Sequence, residues 1–342
     1  MLIAGDIGGT KTLLAIYDPS NGARMPVARQ EYRSANYGAL DVMVGEFLGT
    51  TGRTVQAACF DVAGPVIAGR AQLTNLPWMV DAAALRASLD LDQVFLLNDL
   101  TATAYAVPHL GADALHTINA GRPEASGSIA VIAPGTGLGE AFLVWSKEGY
   151  LACSSEGGHA GFAPTDGRQE ALWKYLNRKF GHVSAERVCS GQGIANIYDF
   201  LRDADAAVEP TAFAAQLAQQ TDRTPLILRA GLADPADNPL AAAAIDLFIA
   251  ALGDEAGNLA LKVLSTGGVY LAGGIPQRML PKLTDGRFMR AFVNKGRFAD
   301  MMAQLPVHLI TGQAALLGAA LYGLDRLTGQ SNRQHGHGLS GV

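Results

Sequence analysis

An α/β fold is predicted by three observations. Short apolar runs alternate with segments of helical apolar spacing. Two strand pairs turn on glycine-rich stretches, Gly8-Gly9 and Gly135-Thr136-Gly137-Leu138-Gly139. These two units are alike in chemistry rather than in sequence, which predicts a duplicated architecture with one such turn per lobe. The chain has 342 residues, 49% of them apolar, enough for about two domains with substantial cores.

The first strand is the run Leu2 to Ile7, and the second is Leu13 to Tyr17. Between them lies a tight turn on Gly8-Gly9. Pro26 to Tyr32 extends the sheet. Tyr37 to Gly49 has helical spacing through Leu40, Val44, Phe47 and Leu48. Val55 to Val62 is a buried strand ended by Ala63-Gly64-Pro65. Asp81 caps a helix over 82–89. Gln93 to Leu97 is a short strand that runs into Asn98-Asp99, and Thr101 to Val107 follows as a helix.

In the second half, Ser128 to Ala133 and Glu140 to Trp145 flank the second glycine turn. Glu170 to Phe180 reads as a helix. Ser184 is the expected cap of a helix through Ile194. The stretch from Ala204 to Asp222 reads as polar helical surface. A long helix starts at Asn238-Pro239 and ends near Ser265, with Gly267-Gly268 as its C-cap. Val269 to Ala272 and Val307 to Thr311 are strands, and Gln313 to Leu327 is the last helix. The Gly/His/Ser-rich end, 329–342, is expected to be disordered, with His335 and His337 as solvated tail residues.

Composition narrows the function. A net charge of −5 argues against nucleic acid or an anionic membrane surface as partner. The cysteines Cys59, Cys153 and Cys189 are scattered, so they offer no zinc cluster and suit a reducing, cytoplasmic setting. No apolar stretch reaches the roughly 18 residues of a membrane span, and no signal peptide is visible.

Three places carry chemistry. The first turn can form an anion-binding concavity of backbone N–H groups, with Thr10 and Thr12 adding hydroxyls and Asp6 a ligand for Mg²⁺; an ordinary Gly-Gly hairpin with an incidental acid is the structural alternative. Asn98-Asp99 closes a buried strand, where a carboxylate can take a proton from an attacking hydroxyl; an Asp99 that caps the next helix is the structural alternative. Glu156-Gly157-Gly158-His159 offers an acceptor and a donor around two glycines, as a polyol requires. A flexible loop with one solvated Glu and one packed His explains it as well. Glu186, near the candidate cap, suits a helix dipole equally.

Together these stretches resemble the actin/hexokinase/Hsp70 superfamily. Gly5-Asp6-Ile7-Gly8-Gly9-Thr10 is similar to its first phosphate motif, and Pro134 to Gly139 to its second. Ala272-Gly273-Gly274-Ile275 is similar to its adenosine motif. Within the superfamily the chain most resembles the bacterial ATP-dependent glucokinases. The shared stretches are Leu73-Thr74-Asn75 with Trp78, Asn98-Asp99, Glu156-Gly157-Gly158-His159, His182 to Val188 with Ser190-Gly191, and Lys295-Gly296-Arg297-Phe298. Lys11 departs from the Asn common in that family and is closer to the repressor/ORF/kinase sugar kinases. The cysteine-rich zinc motif of those relatives is missing after His159.

The resemblance implies a two-lobed actin-like ATPase (ribonuclease H-like) fold with an interdomain cleft. Its small α/β domain would be 1–109 plus 306–328, and its large α/β domain 110–305. It implies transfer of the γ-phosphate of ATP to the 6-hydroxyl of glucose, the first step of glycolysis, in a cytoplasmic homodimer. Another hexose or amino-sugar kinase is the alternative. Asn98, Asp99, Glu156, His159 and Glu186 would hold the sugar, with Asp99 as catalytic base. Gly5, Asp6, Ile7, Gly8, Gly9 and Thr10 would bind ATP from one lobe. Gly135, Thr136, Gly137, Gly273 and Gly274 would bind it from the other, and Mg²⁺ would lie near Asp6. A sugar-sensing repressor would need a DNA-binding domain ahead of a hairpin that here begins at residue 3. A filament or chaperone ATPase has no use for the sugar set.

Overall fold

Alternation of apolar residues sorts the N-terminal strands onto two faces. In the computed structural model, β1 (Leu2–Ile7) and β2 (Lys11–Tyr17) form the expected antiparallel hairpin, with β3 (Pro26–Arg33) beside β2. On its other edge β1 runs parallel to β4 (Ala57–Val62). The short strands β5 (Arg70–Gln72) and β6 (Met79–Asp81) pair with each other. β7 (Gln93–Asn98) completes the main sheet, whose order is β3-β2-β1-β4-β7. Ile3, Leu14, Ile16 and Phe60 face the helix Leu40–Thr51, and Leu2, Ala4, Ala15 and Cys59 face the C-terminal helix Ala314–Leu327.

The structure describes residues 1–73, 76–147, 149–204 and 208–329. Thr74 and Asn75 of the Leu73–Trp78 stretch lie outside the described residues, as does the tail from 330 with His335 and His337. The chain divides into two units. The first holds residues 1–110 with the segment from Gln313, and the second holds 111–312. The segment returning to the first unit therefore begins later than the expected 306. Its would-be first strand, Val307–Ile310, is hydrogen-bonded into the sheet of the second unit.

That second sheet contains β8 (Leu115–Asn119), β9 (Ile129–Pro134), β10 (Leu138–Ser146), β11 (Gly149–Ser155), β12 (Gly268–Leu271) and β13 (Val307–Ile310), in the order β11-β10-β9-β12-β13-β8. Three antiparallel strands followed by two parallel ones repeat the plan of the first sheet. β8 and β11 have no counterpart among the sequence expectations. Both are edge strands of mostly half-buried residues, so no apolar run marks them.

The core of the second unit is the helix Pro239–Val263, capped by Asn238, whose side chain accepts from Ala241 N–H at 3.0 Å. Its end is not made by glycine: Leu264 takes the left-handed conformation at φ 48°. Gly267 serves instead to let Gly127 O approach, since a Cβ there would lie 2.5 Å from it. Within the helix, Gly253 and Gly257 let the helix Arg287–Val293 close in. Their Cβ atoms would lie 2.4 Å from Phe288 O and 2.6 Å from Phe292 O. The helix expected from Ser184 begins only at Gly191. Ser184 precedes a single 3-10 turn, Ala185–Arg187, and Ser190 caps Gly191–Asp203 by accepting from Gly193 N–H at 3.1 Å.

The tightest of these approaches sits in the first unit. A Cβ on Gly318 would lie 1.7 Å from Ala102 O, across the contact between Ala314–Leu327 and the helix Asp99–Ala106. Gly318→Ala is expected to lower the unfolding free energy by about 1–3 kcal/mol through forced separation of two backbones. Gly45→Ala, on the exposed face of Leu40–Thr51 with nothing within 4 Å, is expected to be neutral or to stabilise by up to about 1 kcal/mol. Urea unfolding of both variants checks this; equal effects would refute the packing assignment.

Candidate functional site

Parallel pairing brings the C-terminal ends of β1, β4 and β7 side by side. Asp6 stands opposite Asp61, and Val62 opposite Asn98. Asp99 follows at the first position of its helix. Three carboxyls from distant parts of the chain thus share one sheet edge, the place where α/β sheets bind ligands. Asp61 is fully buried, and neither of its oxygens has a conventional donor. Burial pushes its carboxyl well above the usual range, and the charges of Asp6 and Asp99 push it further. Its contact with the Asp6 carboxyl raises the proton affinity of Asp61 and lowers that of Asp6. Sequence reading missed Asp61; its signal was an acid inside the otherwise apolar strand Ala57–Val62.

Burial also raises Asp6, against the lowering effect of the bond from Asp61. Burial raises Asp99 too, against the Leu100 N–H that donates to its Oδ1 at 2.8 Å. The helix cap is Asn98 rather than Asp99. Asn98 Oδ1 accepts from Leu100 N–H at 3.0 Å and Thr101 N–H at 3.2 Å, and its Nδ2 donates to Gly64 O at 3.1 Å. With the cap made by its neighbour, the Asp99 carboxylate is not committed to holding the helix start.

The loop between β1 and β2 is closed by Gly8 N–H donating to Lys11 O at 3.0 Å. Close approach explains this glycine, because a Cβ on Gly8 would lie 2.7 Å from that oxygen. Ser34 pins the loop by donating to Gly8 O at 2.7 Å and bonding Thr12 Oγ1 at 3.0 Å. Thr12 is fully buried, so its hydroxyl is spent inside the fold and offers nothing to a ligand. Thr10 is exposed. Gly5 makes room for Leu14 and Phe60, and the Ile7 side chain lies in the core, so both shape the strand beneath the loop. Lys11 pairs with Glu31 at 2.7 Å on the surface.

The second unit carries the other candidates. The turn after β9 is closed by Gly135 N–H donating to Gly137 O at 2.8 Å, and Gly135 O in turn accepts from Gly191 N–H at 2.8 Å. Glu186 reaches into this turn, where its Oε2 accepts from Leu138 N–H at 3.0 Å. The same oxygen stands 2.4 Å from where a Gly137 Cβ would lie. The helix-dipole alternative for Glu186 is thereby replaced: it belongs to a single 3-10 turn and binds a different segment. Glu156 and His159 flank a 3-10 turn, their Oε2 and Nε2 atoms 4.0 Å apart and both side chains exposed. His182 Nε2 lies 3.0 Å from His159 O.

Gly273 has φ 88°, and its Cβ would lie 2.9 Å from Pro134 O, so it closes on the second turn. A cavity of about 610 Å³ opens beside Gly135, Thr136 and Gly274, with Arg223 and Thr224 in its wall. Arg223 is held there by two bonds to the Asp199 carboxylate, 2.8 and 2.7 Å. Sequence reading missed this wall; the Asp222-Arg223-Thr224-Pro225 turn was its only local signal.

The glucokinase family profile matches residues 3–326. A glucokinase from a Nostoc species is 41% identical over 94% of this chain and 98% of its own length. The structure of a glucokinase from an Antarctic psychrotroph superposes with a TM-score of 0.80 at 32% identity, over 94% of this chain and 98% of that one. A glucokinase of the ROK family from Streptomyces griseus, solved with glucose and AMPPNP, has a TM-score of 0.60 at 18% identity over 94% and 98% of the two chains, a likeness of fold.

The seating of Glu186 in the second turn is testable. Glu186→Ala strands the Leu138 N–H and is expected to cost about 1–2 kcal/mol of unfolding free energy. Glu186→Gln keeps an acceptor and is expected to lose less than half of that. Equal losses in urea unfolding would show that the bond does not matter.

Proposed function

The chain belongs to the glucokinase family, and on that premise we propose that Asp99 is its catalytic base. The enzyme transfers the γ-phosphoryl group of ATP to the 6-hydroxyl of glucose, giving glucose 6-phosphate and ADP. The observation that supports the Asp99 assignment is its setting. It is a half-buried carboxylate with raised proton affinity, just past a strand's C-terminal end, its orientation held by Leu100 N–H. Such a group takes the 6-hydroxyl proton as the oxygen attacks phosphorus, and before that it orients the nucleophile.

Asn98 and Asp99 of the first unit, and Glu156, His159 and Glu186 of the second, are assigned to the glucose hydroxyls. Each hydroxyl left unpaired against a buried polar group would cost about 1–3 kcal/mol, which is how such a set selects one hexose.

Phosphates are assigned to Gly8, Gly9 and Thr10 and to Gly135, Thr136 and Gly137. Gly273 and Gly274 are assigned to the adenosine, beside the cavity. At Gly8, Gly137 and Gly273 a side chain would collide with its surroundings, so these turns keep bare backbone toward a ligand. Magnesium bound with ATP neutralises phosphate charge, and Asp6, a carboxylate backed by the Asp61 acid, has the hard oxygen donors that this ion takes. No group of three or more acidic, His or Cys side chains among the described residues is arranged to hold a metal. Phosphate and water oxygens would therefore complete its shell.

No helix among the described residues is long and apolar enough to cross a membrane. We assign the enzyme to the cytoplasm, as a homodimer at the first step of glycolysis, on the family resemblance.

Asp99→Asn is expected to fold with a wild-type melting temperature and to lose about 10²–10⁴-fold in kcat, with the KM for glucose changed far less. Turnover near wild type would refute the base assignment. In a coupled ADP assay with mannose, fructose and glucosamine alongside glucose, glucose is expected to give the highest kcat/KM.

A further inference from the structure

Beneath the Glu156–His159 loop lies a carboxyl that the reaction does not use. Glu140 stands on β10 opposite Ser155 of β11 and is only 2% exposed. Its Oε2 occupies the space of a Gly157 Cβ, 2.0 Å from where that atom would be. Gly158 is equally close to β10, its Cβ position 2.1 Å from Leu138 O. The two glycines thus seat the loop on β10, with the Glu140 carboxyl as part of the floor.

The other side of Glu140 faces the long helix. Glu255, 4% exposed, contacts it there; Glu255 also accepts from Asn258 Nδ2 at 3.1 Å and lies 3.7 Å from Lys262 Nζ at the surface. Next to Glu255 is Asp254, 2% exposed, which accepts from Thr165 Oγ1 and Gln169 Nε2. The buried Lys295 reaches it through the gap left by Gly257, with Nζ donating to Asp254 O at 2.9 Å and 3.7 Å from Oδ1. The buried Cys189 thiol feels all three acids. Three buried carboxyls therefore share one buried ammonium, with Lys262 half-exposed beyond. Glu140 Oε1 has no conventional donor. Burial, and then the Glu255 charge, push Glu140 up to about 7, so below that pH it is neutral and donates to Glu255.

We propose that Glu140 is a positioning residue for sugar binding: its buried carboxyl, packed between Gly157 and the long helix, seats the loop, and glucose binding to the loop draws a proton onto the Glu140–Glu255 pair. The proposal rests on the assignment of Glu156 and His159 to glucose. Ionising Glu140 sets two negative charges side by side in a buried site. The floor under Gly157 then shifts, and Glu156 and His159 lose their placement. Binding and protonation favour the same arrangement, so each strengthens the other, and the coupling is reciprocal. Glucose affinity falls as pH rises through the Glu140 transition.

The test is calorimetric titration of the full chain with glucose in two buffers of different ionisation enthalpy, near about pH 7.5, where linkage predicts uptake of about half a proton per glucose. Glu140→Gln is expected to take up almost none and to bind glucose within about threefold of wild type at about pH 6. Glu255→Gln is the second variant should the first not fold; it removes the neighbouring charge but not the burial, so its uptake near about pH 7.5 is expected to fall below that of wild type without vanishing. Wild type itself is expected to lose at least about threefold in affinity between about pH 6 and 8.5. Undiminished uptake in a folded variant overturns the proposal and moves the proton to another group such as His159. No uptake, or a flat affinity profile, in wild type overturns it as well. A wild-type chain that neither binds nor phosphorylates glucose overturns the sugar-site assignment and this inference with it. A purely structural Glu140 would alter stability and leave proton uptake in place.

Discussion

Acid against bare backbone is the contact on which the functional loops depend. Glu186 Oε2 fills the space beside Gly137, and Glu140 Oε2 fills the space beside Gly157. In both places a glycine lets a carboxyl touch the main chain, and the loop is held by a polar group rather than by apolar packing. Such a seat is narrow. A methyl group on either glycine would displace the carboxyl or the loop.

The same physics explains the buried acids. Asp61 in the first unit and Glu140 in the second are withdrawn from water beside other carboxyls. Two adjacent buried charges of one sign would be costly, and in each site one member has its proton affinity raised.

Parallel strand register does the assembling. β1 and β4 align Asp6 with Asp61, and β7 ends one residue short of Asp99. The helix that Asp99 begins packs on the last helix of the unit through Gly318. The helix Ala314–Leu327 thus steadies the residue assigned to the proton transfer.

What the sequence determined by itself was local: the strand–glycine–strand hairpins, the Asn98-Asp99 step at a strand end, the Glu156 to His159 spacing and most apolar helices. Each is written in neighbouring residues, because hydrophobic period, turn chemistry and capping act within a few positions. Where two local solutions competed, the sequence did not choose. Ser184 and Ser190 are both good caps, as are Asn98 and Asp99, and packing selected Ser190 and Asn98. The helix after Asn238 ended on Leu264 because Gly267 was needed against Gly127. Only the tertiary structure decided that Thr12 is spent on Ser34, that Asp61 backs Asp6, and that Glu140 meets Glu255 under Gly157. Those contacts join residues far apart in the chain, and a carboxyl's charge depends on burial and on neighbours that only folding supplies.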